Sequence, residues 1–512
     1  MIKLNPREYQ KAIFETAKNN NTLVVIPTGL GKTLIALLLA VERQKKFPGS
    51  KAVITAPTRP LVEQHYDSFK EQLPDLFAEL TLFTGSIKAS ERRKLFERAD
   101  IIFSTPQCIA NDLKAGLYSL KDVSFLVIDE AHRCLKNYSY TSVVNYYKSQ
   151  SENRLILGLT ASPGYEEKKV KEICEHLDIR EIEVRTRESD DVKKYLQELE
   201  FEKVDVEFPK EFLEIRVLLK MLFDRAVEQL KGRNLLFGPA NKISLLQLQG
   251  KLAKRMAMKD FNAIAGMSLT AQAIKVSHAM ELLETQTLSG LENYLEGLKQ
   301  QAEEKKSKAV QYLIEKGEFK AAFFSLRKLR EKGVEHPKID KIVSIVEEQF
   351  KEEKKPKIIV FSQYRESAQR IAGFLNKSKG IKSEVFIGQS IKKDSHGQSG
   401  LNQKMQKAVV ERFRRGEIDI LCATSIGEEG LDIPEVSCVI FYEPIPSAIR
   451  KIQRAGRTAR LSKGKLIILV TKDTRDEIHH YASSSREKKM HKILLNVRES
   501  LRKRPKTLRD FE

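Results

Sequence analysis

Tryptophan is absent from the 512 residues of this chain, and cysteine is scarce. The five cysteines form no C-x-x-C pair, which argues against a zinc ribbon or a disulfide framework and is typical of a reducing compartment. No apolar run reaches the roughly 18 residues of a membrane-spanning helix, and the N-terminus lacks the apolar segment of a signal peptide. These absences predict a soluble intracellular protein without a membrane segment.

Positive charge, by contrast, is abundant. The chain has 90 lysines and arginines against 69 acidic residues, which gives a formal net charge of +21. Such a surface attracts polyanions, so nucleic acid is the leading candidate partner and an acidic membrane surface is the second. Enrichment in charged residues is also typical of thermophilic proteins, so charge alone leaves a purely structural interpretation open.

Hydrophobic patterning divides the chain. Two stretches alternate short apolar runs, such as residues 23–26, 125–128 and 358–361, with amphipathic helical patterns. Runs that are apolar on both faces are typical of buried parallel strands, so each stretch predicts an α/β domain with a parallel sheet. The sequence between them shows helical periodicity and basic faces. The predicted organisation is therefore domain 1 at 1–204, an all-helical insertion at 205–335, domain 2 at 336–475, and a basic helical tail at 476–512.

Residues 26–33, IPTGLGKT, follow the first apolar run and open an apolar helix. This is the context of a phosphate-binding P-loop, in which backbone N–H groups surround the phosphates, the lysine meets the β- and γ-phosphates, and the hydroxyl binds Mg²⁺. The usual pattern has glycine where this chain has Ile26. The predicted nucleotide contacts are Thr28, Gly29, Gly31, Lys32 and Thr33.

An acidic pair, Asp129 and Glu130, follows the apolar run at 125–128. In a domain with a P-loop, the first carboxylate is expected to hold Mg²⁺ together with Thr33, and the second to act as general base toward water. The alternative is an acidic helix cap, which is weakened by the presence of Lys32 in the same domain.

A second basic motif, QRAGRTAR at residues 453–460, lies in the second α/β stretch. Arginines of this kind stabilise the charge that develops on a γ-phosphate. The alternative is a basic helix that faces solvent or nucleic acid.

Taken in order, these segments resemble the motifs of superfamily 2 DEAH-type helicases. Other matching segments lie at residues 7–10, 55–59, 84–85, 104–106, 160–162, 360–365 and 423–434. The resemblance implies two RecA-like domains with ATP between them, and it assigns roles by position. The implied catalytic residues are Lys32, Asp129, Glu130, Gln453, Arg457 and Arg460. Nucleotide contacts outside the P-loop are implied for Arg7, Gln10, Gly430 and Asp432. Nucleic-acid contacts are implied for Thr58, Arg59, Gly85, Thr105, Ser362, Arg365 and Thr424. Coupling of the two sites is implied for His132, Thr160 and Ser162.

The long helical insertion and the segments at 386–389 and 424–430 are similar to the archaeal Hef and Fanconi anaemia group M helicases. This resemblance implies an ATP-dependent DNA helicase or translocase that acts on branched or forked DNA during replication-fork repair. It also implies a cytoplasmic, nucleoid-associated location in a prokaryotic cell, with a nuclease module and a sliding clamp as partners outside this chain.

Several alternatives stay open at this stage. The same motor would serve an RNA-directed helicase or a sensor of double-stranded RNA, because only a contact with the 2′-hydroxyl separates the two substrates. A non-catalytic basic scaffold would not need the ATP-site residues. The insertion is interpreted as the part that recognises branched structure through its basic faces, and the alternative is a rigid spacer between the two domains.

Overall fold

The computed structural model describes residues 5–74, 77–85, 87–136, 138–388, 401–424, 433–445, 458 and 463–502, and the backbone of 392–394 and 397–399. The chain forms two parallel sheets, each with helices packed against it, and a helical bundle that lies between them in sequence. This confirms the predicted α/β fold class with an all-helical insertion.

The first sheet has seven parallel strands in the order β3-β4-β2-β5-β6-β1-β7. Strand β5 is buried along its whole length, as expected for a central strand covered on both faces. The strands are β1 Thr22–Val25, β2 Lys51–Thr55, β3 Leu80–Phe83, β4 Ile101–Ser104, β5 Val123–Asp129, β6 Ile156–Thr160 and β7 Glu181–Val184. The helices are α1 Glu8–Ala17, α2 Lys32–Lys46, α3 Arg59–Gln72, α4 Ala89–Arg98, α5 Pro106–Lys114, α6 Ser139–Gln150, α7 Glu167–His176 and α8 Asp190–Lys193.

The next strand, β8 (Leu199–Val206), belongs to the second sheet rather than the first. The domain boundary predicted at residue 204 therefore falls inside a strand of domain 2. Its sequence, LEFEKVDV, leaves most positions exposed or half-buried, because β8 is an edge strand with a single neighbour. The sequence of β8 lacks the continuous apolar run that predicts central strands such as β1, β5 and β9.

The helical insertion follows as a bundle with two apolar cores. The larger core is formed by side chains from residues 212–222 and 276–326. The smaller core, at the far end of the bundle, is formed by side chains from residues 226–273. Its helices are α9 Leu213–Gly232, α10 Lys242–Met256, α11 Phe261–Thr285, α12 Leu288–Glu303, α13 Lys308–Ile314 and α14 Gly317–Glu331.

The second sheet has six parallel strands in the order β10-β13-β9-β14-β15-β8. The elements after the insertion are α15 Lys338–Glu352, β9 Ile358–Phe361, α16 Arg365–Leu375, β10 Ser383–Phe386, β11 Lys392–Asp394, β12 Gly397–Ser399, α17 Gln403–Arg414, β13 Ile420–Ala423, β14 Cys438–Phe441, β15 Gly464–Thr471 and α18 Arg475–Arg502. Strands β11 and β12 form a separate two-stranded antiparallel pair.

The C-terminal helix α18 crosses from domain 2 to domain 1. Its apolar side chains, spaced three and four residues apart, form one stripe that is buried in the core of the first domain. These side chains are Met490, Ile493, Leu494, Val497 and Leu501. The predicted helical tail is therefore, as far as residue 502, a brace that joins the two α/β domains. None of the described helices combines the length and the apolar character needed to cross a membrane.

Candidate nucleotide site and nucleic-acid interface

The P-loop lies at the carboxyl end of β1, where Ile26 N donates to Thr160 O at 3.1 Å. Gly29 and Gly31 have φ values of 85° and 72°, a left-handed conformation that glycine adopts without steric cost. Helix α2 begins at Lys32 directly after the loop. Its N-terminal N–H groups are therefore available to an anion, as in phosphate-binding loops.

Two polar atoms of this loop are shielded from solvent without a partner. Among the described residues, Lys32 Nζ and Thr28 Oγ1 have no hydrogen-bond partner. An unpaired buried ammonium group is costly, so the site is complete only when an anionic ligand is present. The loop thus fits the phosphate groups of a nucleotide.

The segment that contains the implied nucleotide contacts Arg7 and Gln10 packs against the P-loop. Gln10 Nε2 and Tyr9 OH both donate to Leu30 O, at 3.2 and 2.9 Å. Gln10 Oε1 accepts from Arg7 N at 2.8 Å, and a Cβ added to Gly31 would collide with Gln10 Nε2. Gln10 is 4% exposed, so its side chain fixes the shape of the loop.

Asp129 ends β5 at the same edge of the sheet. Its Oδ1 accepts from Glu130 N at 2.9 Å, and its Oδ2 lies 2.8 Å from His65 Nε2. Burial alone would raise the pKa of Asp129, but the hydrogen bond with His65 and the charges of His65 and Lys32 outweigh it, so the pKa is lowered. Asp129 is therefore held as a carboxylate, the form that binds a cation.

Glu130 has a φ of 51°, which is uncommon for a residue other than glycine and is often found at functional sites. Its Oε2 lies 3.2 Å from His132 Nδ1, although without the alignment of a hydrogen bond. The carboxylate is therefore buried beside the loop and available to another donor, as a general base requires.

His65 was not predicted from the sequence. The imidazole lies between the two predicted metal ligands, since its Nδ1 is 3.3 Å from Thr33 Oγ1 and its Nε2 contacts Asp129. The residue is 5% exposed and shares the buried face of α3 with Val62 and Phe69. A histidine within this apolar stripe was the available signal, but its partner could only be found in three dimensions.

The residues predicted to couple the two sites are joined in one chain of contacts. His132 Nδ1 lies 3.2 Å from Thr160 Oγ1, which donates to Ser162 O at 3.0 Å. The Ser162 hydroxyl in turn donates to Met490 Sδ at 2.8 Å. The path therefore runs from the acidic segment to the brace helix α18.

The residues predicted to contact nucleic acid share one edge of each sheet. Strands β3, β4 and β2 are neighbours, and Gly85, Thr105 and Thr58 follow their carboxyl ends. Thr58 and Thr105 are the N-cap residues of α3 and α5, where backbone N–H groups bind phosphate readily. In domain 2, Arg365 and Thr424 follow the neighbouring strands β9 and β13.

Among the described residues, three of the predicted contacts are engaged within the protein. Arg365 Nη2 donates to Gly388 O at 3.4 Å. Ser362 is fully buried, and its hydroxyl lies 3.5 Å from Gln286 Oε1 of the helical bundle, which leaves no side-chain surface for nucleic acid. Arg59 Nε donates to Glu63 Oε1 at 2.7 Å, and Glu63 Oε2 accepts from Lys407 of domain 2 at 2.6 Å. These contacts arise because the insertion and domain 2 pack beside the edges where the motifs lie.

The remaining predicted site residues lie outside the described residues; they are Gly430, Asp432, Gln453, Arg457 and Arg460. Thr458, which lies in the QRAGRTAR motif at residues 453–460, is described by the structure and is fully buried. Its Oγ1 donates to Val436 O at 2.6 Å. One residue of the arginine motif is thus anchored beside the second sheet.

Two parallel-sheet domains, a P-loop and a buried acidic pair define the class of ATP-driven nucleic-acid motors. Family models agree: "DEAD/DEAH box helicase" matches residues 7–170, "Helicase conserved C-terminal domain" matches 337–462, and "Putative ATP-dependent RNA helicase, helical bundle" matches 211–333. The Hef helicase domain of Pyrococcus furiosus is 42% identical, with a TM-score of 0.70 over 93% of this chain and 98% of that one. The chain belongs to the superfamily 2 helicases, in the Hef branch.

Curated relatives include proteins named for DNA and for RNA. "Putative ATP-dependent RNA helicase MJ1505" of Methanocaldococcus jannaschii is 37% identical over 98% of this chain and 62% of its own length. "ATP-dependent DNA helicase fml1" of Schizosaccharomyces pombe is 33% identical over 92% of this chain and 57% of its own length. "ATP-dependent DNA helicase mph1" of Neurospora crassa is 32% identical, and the chain covers 41% of it. The chain thus spans less than two thirds of these relatives.

Proposed function

We propose that this chain is the helicase region of an ATP-dependent DNA helicase or translocase that acts on branched or forked DNA in replication-fork repair. The observation that carries the proposal is the attachment of a basic helical bundle beside the strand ends where nucleic acid is expected. Gln286 Oε1, at the end of α11, accepts from Ser367 Oγ at 2.8 Å and lies near Ser362. One duplex arm of a branched DNA bound at these strand ends would therefore contact the bundle.

At the ATP site we assign the phosphates to the P-loop and to Lys32. Thr33 and Asp129 are the proposed ligands of Mg²⁺, which when bound supplies positive charge against the phosphate oxygens. Glu130 is the proposed general base that orients water, and Arg457, Arg460 and Gln453 are the proposed groups that stabilise the γ-phosphate from domain 2. Arg7, Gln10, Gly430 and Asp432 complete the proposed nucleotide site.

Coupling is assigned to the contacts between the two motor domains. A change at Glu130 would pass through His132, Thr160 and Ser162 to helix α18, which is rooted in domain 2. Closure of the domains would in this way depend on the state of the nucleotide, as in other hinge motions that assemble a catalytic site.

Nucleic acid is assigned to the shared edge of the sheets, with mainly phosphate contacts from Thr58, Arg59, Gly85, Thr105, Arg365 and Thr424. Phosphate contacts position a protein without reading sequence, which suits a motor that moves along any sequence. Ser362 joins the helical bundle to this edge instead of contacting the substrate.

ATPase rates on matched substrates test the proposal. Linear single strands, duplexes, forks and four-way junctions of DNA are compared with RNA versions of the same sequences. Forked DNA should give the highest catalytic efficiency, and Lys32→Ala and Glu130→Gln should abolish stimulation by any substrate. Equal efficiency on linear and forked DNA would reject the substrate assignment, and turnover retained in both variants would reject the ATP-site assignment.

An RNA-directed helicase is the second candidate. The names of the Methanocaldococcus jannaschii relative and of the helical-bundle family refer to RNA helicases. Higher stimulation by RNA forks than by DNA forks in the same series would favour it, because a 2′-hydroxyl contact is the physical basis for the distinction.

A further inference from the structure

The far end of the helical bundle exposes two large apolar side chains on one tight turn. Helix α10 ends at Met256 and α11 begins at Phe261; between them, Met258 is 82% exposed, and Phe261 itself is 85% exposed. Lys259 lies between the two with a φ of 58°. We name Met258 and Phe261 the apolar tip.

The turn that carries the apolar tip is fixed by side-chain contacts. Arg255 donates to Asp260 Oδ2 from Nε at 2.9 Å and from Nη2 at 2.6 Å, while Asp260 Oδ1 accepts from Ala263 N at 3.1 Å. Asn262 Nδ2 donates to Arg233 O at 3.2 Å, which ties the turn to the end of α9. The apolar tip is therefore held outward by a defined structure.

The core beneath the turn is already filled. Leu235, Leu252 and Ala263 are buried in the small apolar cluster at this end of the bundle, and a Cβ at Gly266 would collide with Leu235. Exposure of large apolar groups is unfavourable in water, and clustered exposure commonly marks a binding surface. The apolar tip thus has the character of a contact made with another molecule.

Charge around the apolar tip identifies the chemistry of that molecule. The helix ends beside the turn, residues 228–235 and 251–262, contain six lysines and arginines but only two acidic residues, and one of these, Asp260, is paired with Arg255. Lys231, Lys254 and Lys259 are all exposed. The complementary surface is apolar at its centre and negative around it, which describes a base stack flanked by phosphates.

We propose that the apolar tip enters the base stack at the branch point of a nucleic acid, while the surrounding lysines bind the flanking phosphates. Apolar side chains such as Phe and Met are common wedges between base steps. A branch point has weakened stacking, so a wedge enters there at less cost than within a continuous duplex. The inference rests on the proposed function and names the part of the insertion that would recognise branching.

The test uses the full chain and a DNA fork that carries 2-aminopurine at the branch point, since this base fluoresces more strongly when unstacked. The wild-type protein should raise the fluorescence several-fold. The double variant Met258→Ser/Phe261→Ser should lose the rise and bind the fork about tenfold more weakly, because stacking contributes on the order of 1–3 kcal/mol per base. Binding and ATPase stimulation with linear single-stranded DNA should be unchanged.

A matched control is Phe324→Ser, since Phe324 of α14 is 70% exposed in the same bundle but outside the turn. It should behave as wild type. Thermal melting of all variants tests folding, and the exposure of the altered side chains predicts unchanged midpoints. A second variant, Lys254→Gln/Lys259→Gln, removes two lysines that are expected to bind phosphates. It should reduce the slope of the logarithm of fork affinity against the logarithm of salt concentration by about two.

Unchanged fluorescence and fork affinity in the double variant would overturn the inference. Loss of binding to vesicles of phosphatidylserine and phosphatidylcholine, with the fork signals unchanged, would likewise overturn it in favour of a membrane surface. Failure of the proposed function looks different: the wild-type protein would then bind forked and linear DNA equally, whatever the variants do.

Discussion

His65 Nε2 lies 2.8 Å from Asp129 Oδ2, and Nδ1 of the same ring lies 3.3 Å from Thr33 Oγ1. One imidazole thus bridges the two side chains proposed as Mg²⁺ ligands. His65 also lies on α3, whose N-cap Thr58 is a proposed nucleic-acid contact. A single helix therefore joins the proposed metal site, at its buried face, to the proposed nucleic-acid interface, at its N-cap.

The first prediction concerns this bridge. Because the imidazole competes with Mg²⁺ for Asp129 Oδ2 and Thr33 Oγ1, His65→Ala should lower the Mg²⁺ concentration needed for half-maximal binding of a fluorescent ATP analogue by about three- to tenfold, the equivalent of one hydrogen bond. Titration of Mg²⁺ at a fixed concentration of the ATP analogue measures this half-maximal concentration. Gln64→Ala, on the exposed face of the same helix, is the control and should match wild type. A higher Mg²⁺ requirement in His65→Ala would show that the ring supports the metal site instead.

The second prediction concerns the brace helix. Leu494 of α18 is fully buried in the core of domain 1, so Leu494→Ala should lower the free energy of unfolding of that domain by about 2–5 kcal/mol. Its neighbour Leu495 is 55% exposed, and Leu495→Ala should change stability by less than about 0.5 kcal/mol. Denaturant titration followed by circular dichroism compares them. Equal effects would mean that the helix does not pack on domain 1 in solution.

The third prediction concerns a fully buried ion pair. Lys338 of α15 pairs with Asp476 of α18, and Lys338 Nζ also donates to Thr285 O at 3.2 Å. Asp476→Asn leaves a buried ammonium without its counter-charge and should cost about 3–5 kcal/mol. Lys338→Met/Asp476→Leu removes both charges and should recover most of that loss in the same denaturant assay. A double variant as unstable as the single one would contradict this account.

The fourth prediction concerns pH. Burial alone would raise the pKa of Glu281, but the imidazole of His278, whose Nδ1 lies 3.7 Å from Glu281 Oε2, and the charges of Lys242 and Arg475 outweigh it and lower the pKa from 4.5 to about 2. Because the pKa is lowered on folding, the stabilisation is present above pH 4.5 and is lost as pH falls toward 2.

Glu281→Gln tests this prediction. The variant should be less stable than wild type at neutral pH by about 3 kcal/mol, and this difference should shrink steadily below pH 4.5. Melting temperatures measured from pH 7 to pH 3 provide the comparison. A difference that is constant over this range would show that the loss is one of packing and not of charge.

The fold was predictable where burial leaves a simple pattern. Residues 125–128 and 358–361 are apolar on both faces because central parallel strands are covered on both sides. Strand β8 is half-exposed at a sheet edge, so its pattern gave no such signal. The stripe on α18 was visible as helical spacing, but spacing does not say which domain receives it.

The site was predictable where chemistry fixes residue type and local order. Lys32 and Asp129 belong to recognisable sequence motifs, and the fold places both residues at the same edge of the first sheet. His65 could not be found in this way, because its role depends on the side chains that face it from α2 and β5. Ser362 was assigned to nucleic acid by its position, while its burial depends on how the insertion packs.

The joint at Lys338, Thr285 and Asp476 has a mechanical consequence. It fixes the root of α11 to domain 2, and α11 has 25 residues, a length of about 37 Å. The bundle is therefore a lever arm on domain 2: for each degree by which that domain rotates, the outer end of α11 moves by about 0.6 Å. A small rotation of domain 2 would thus produce a displacement of several ångströms at the apolar tip.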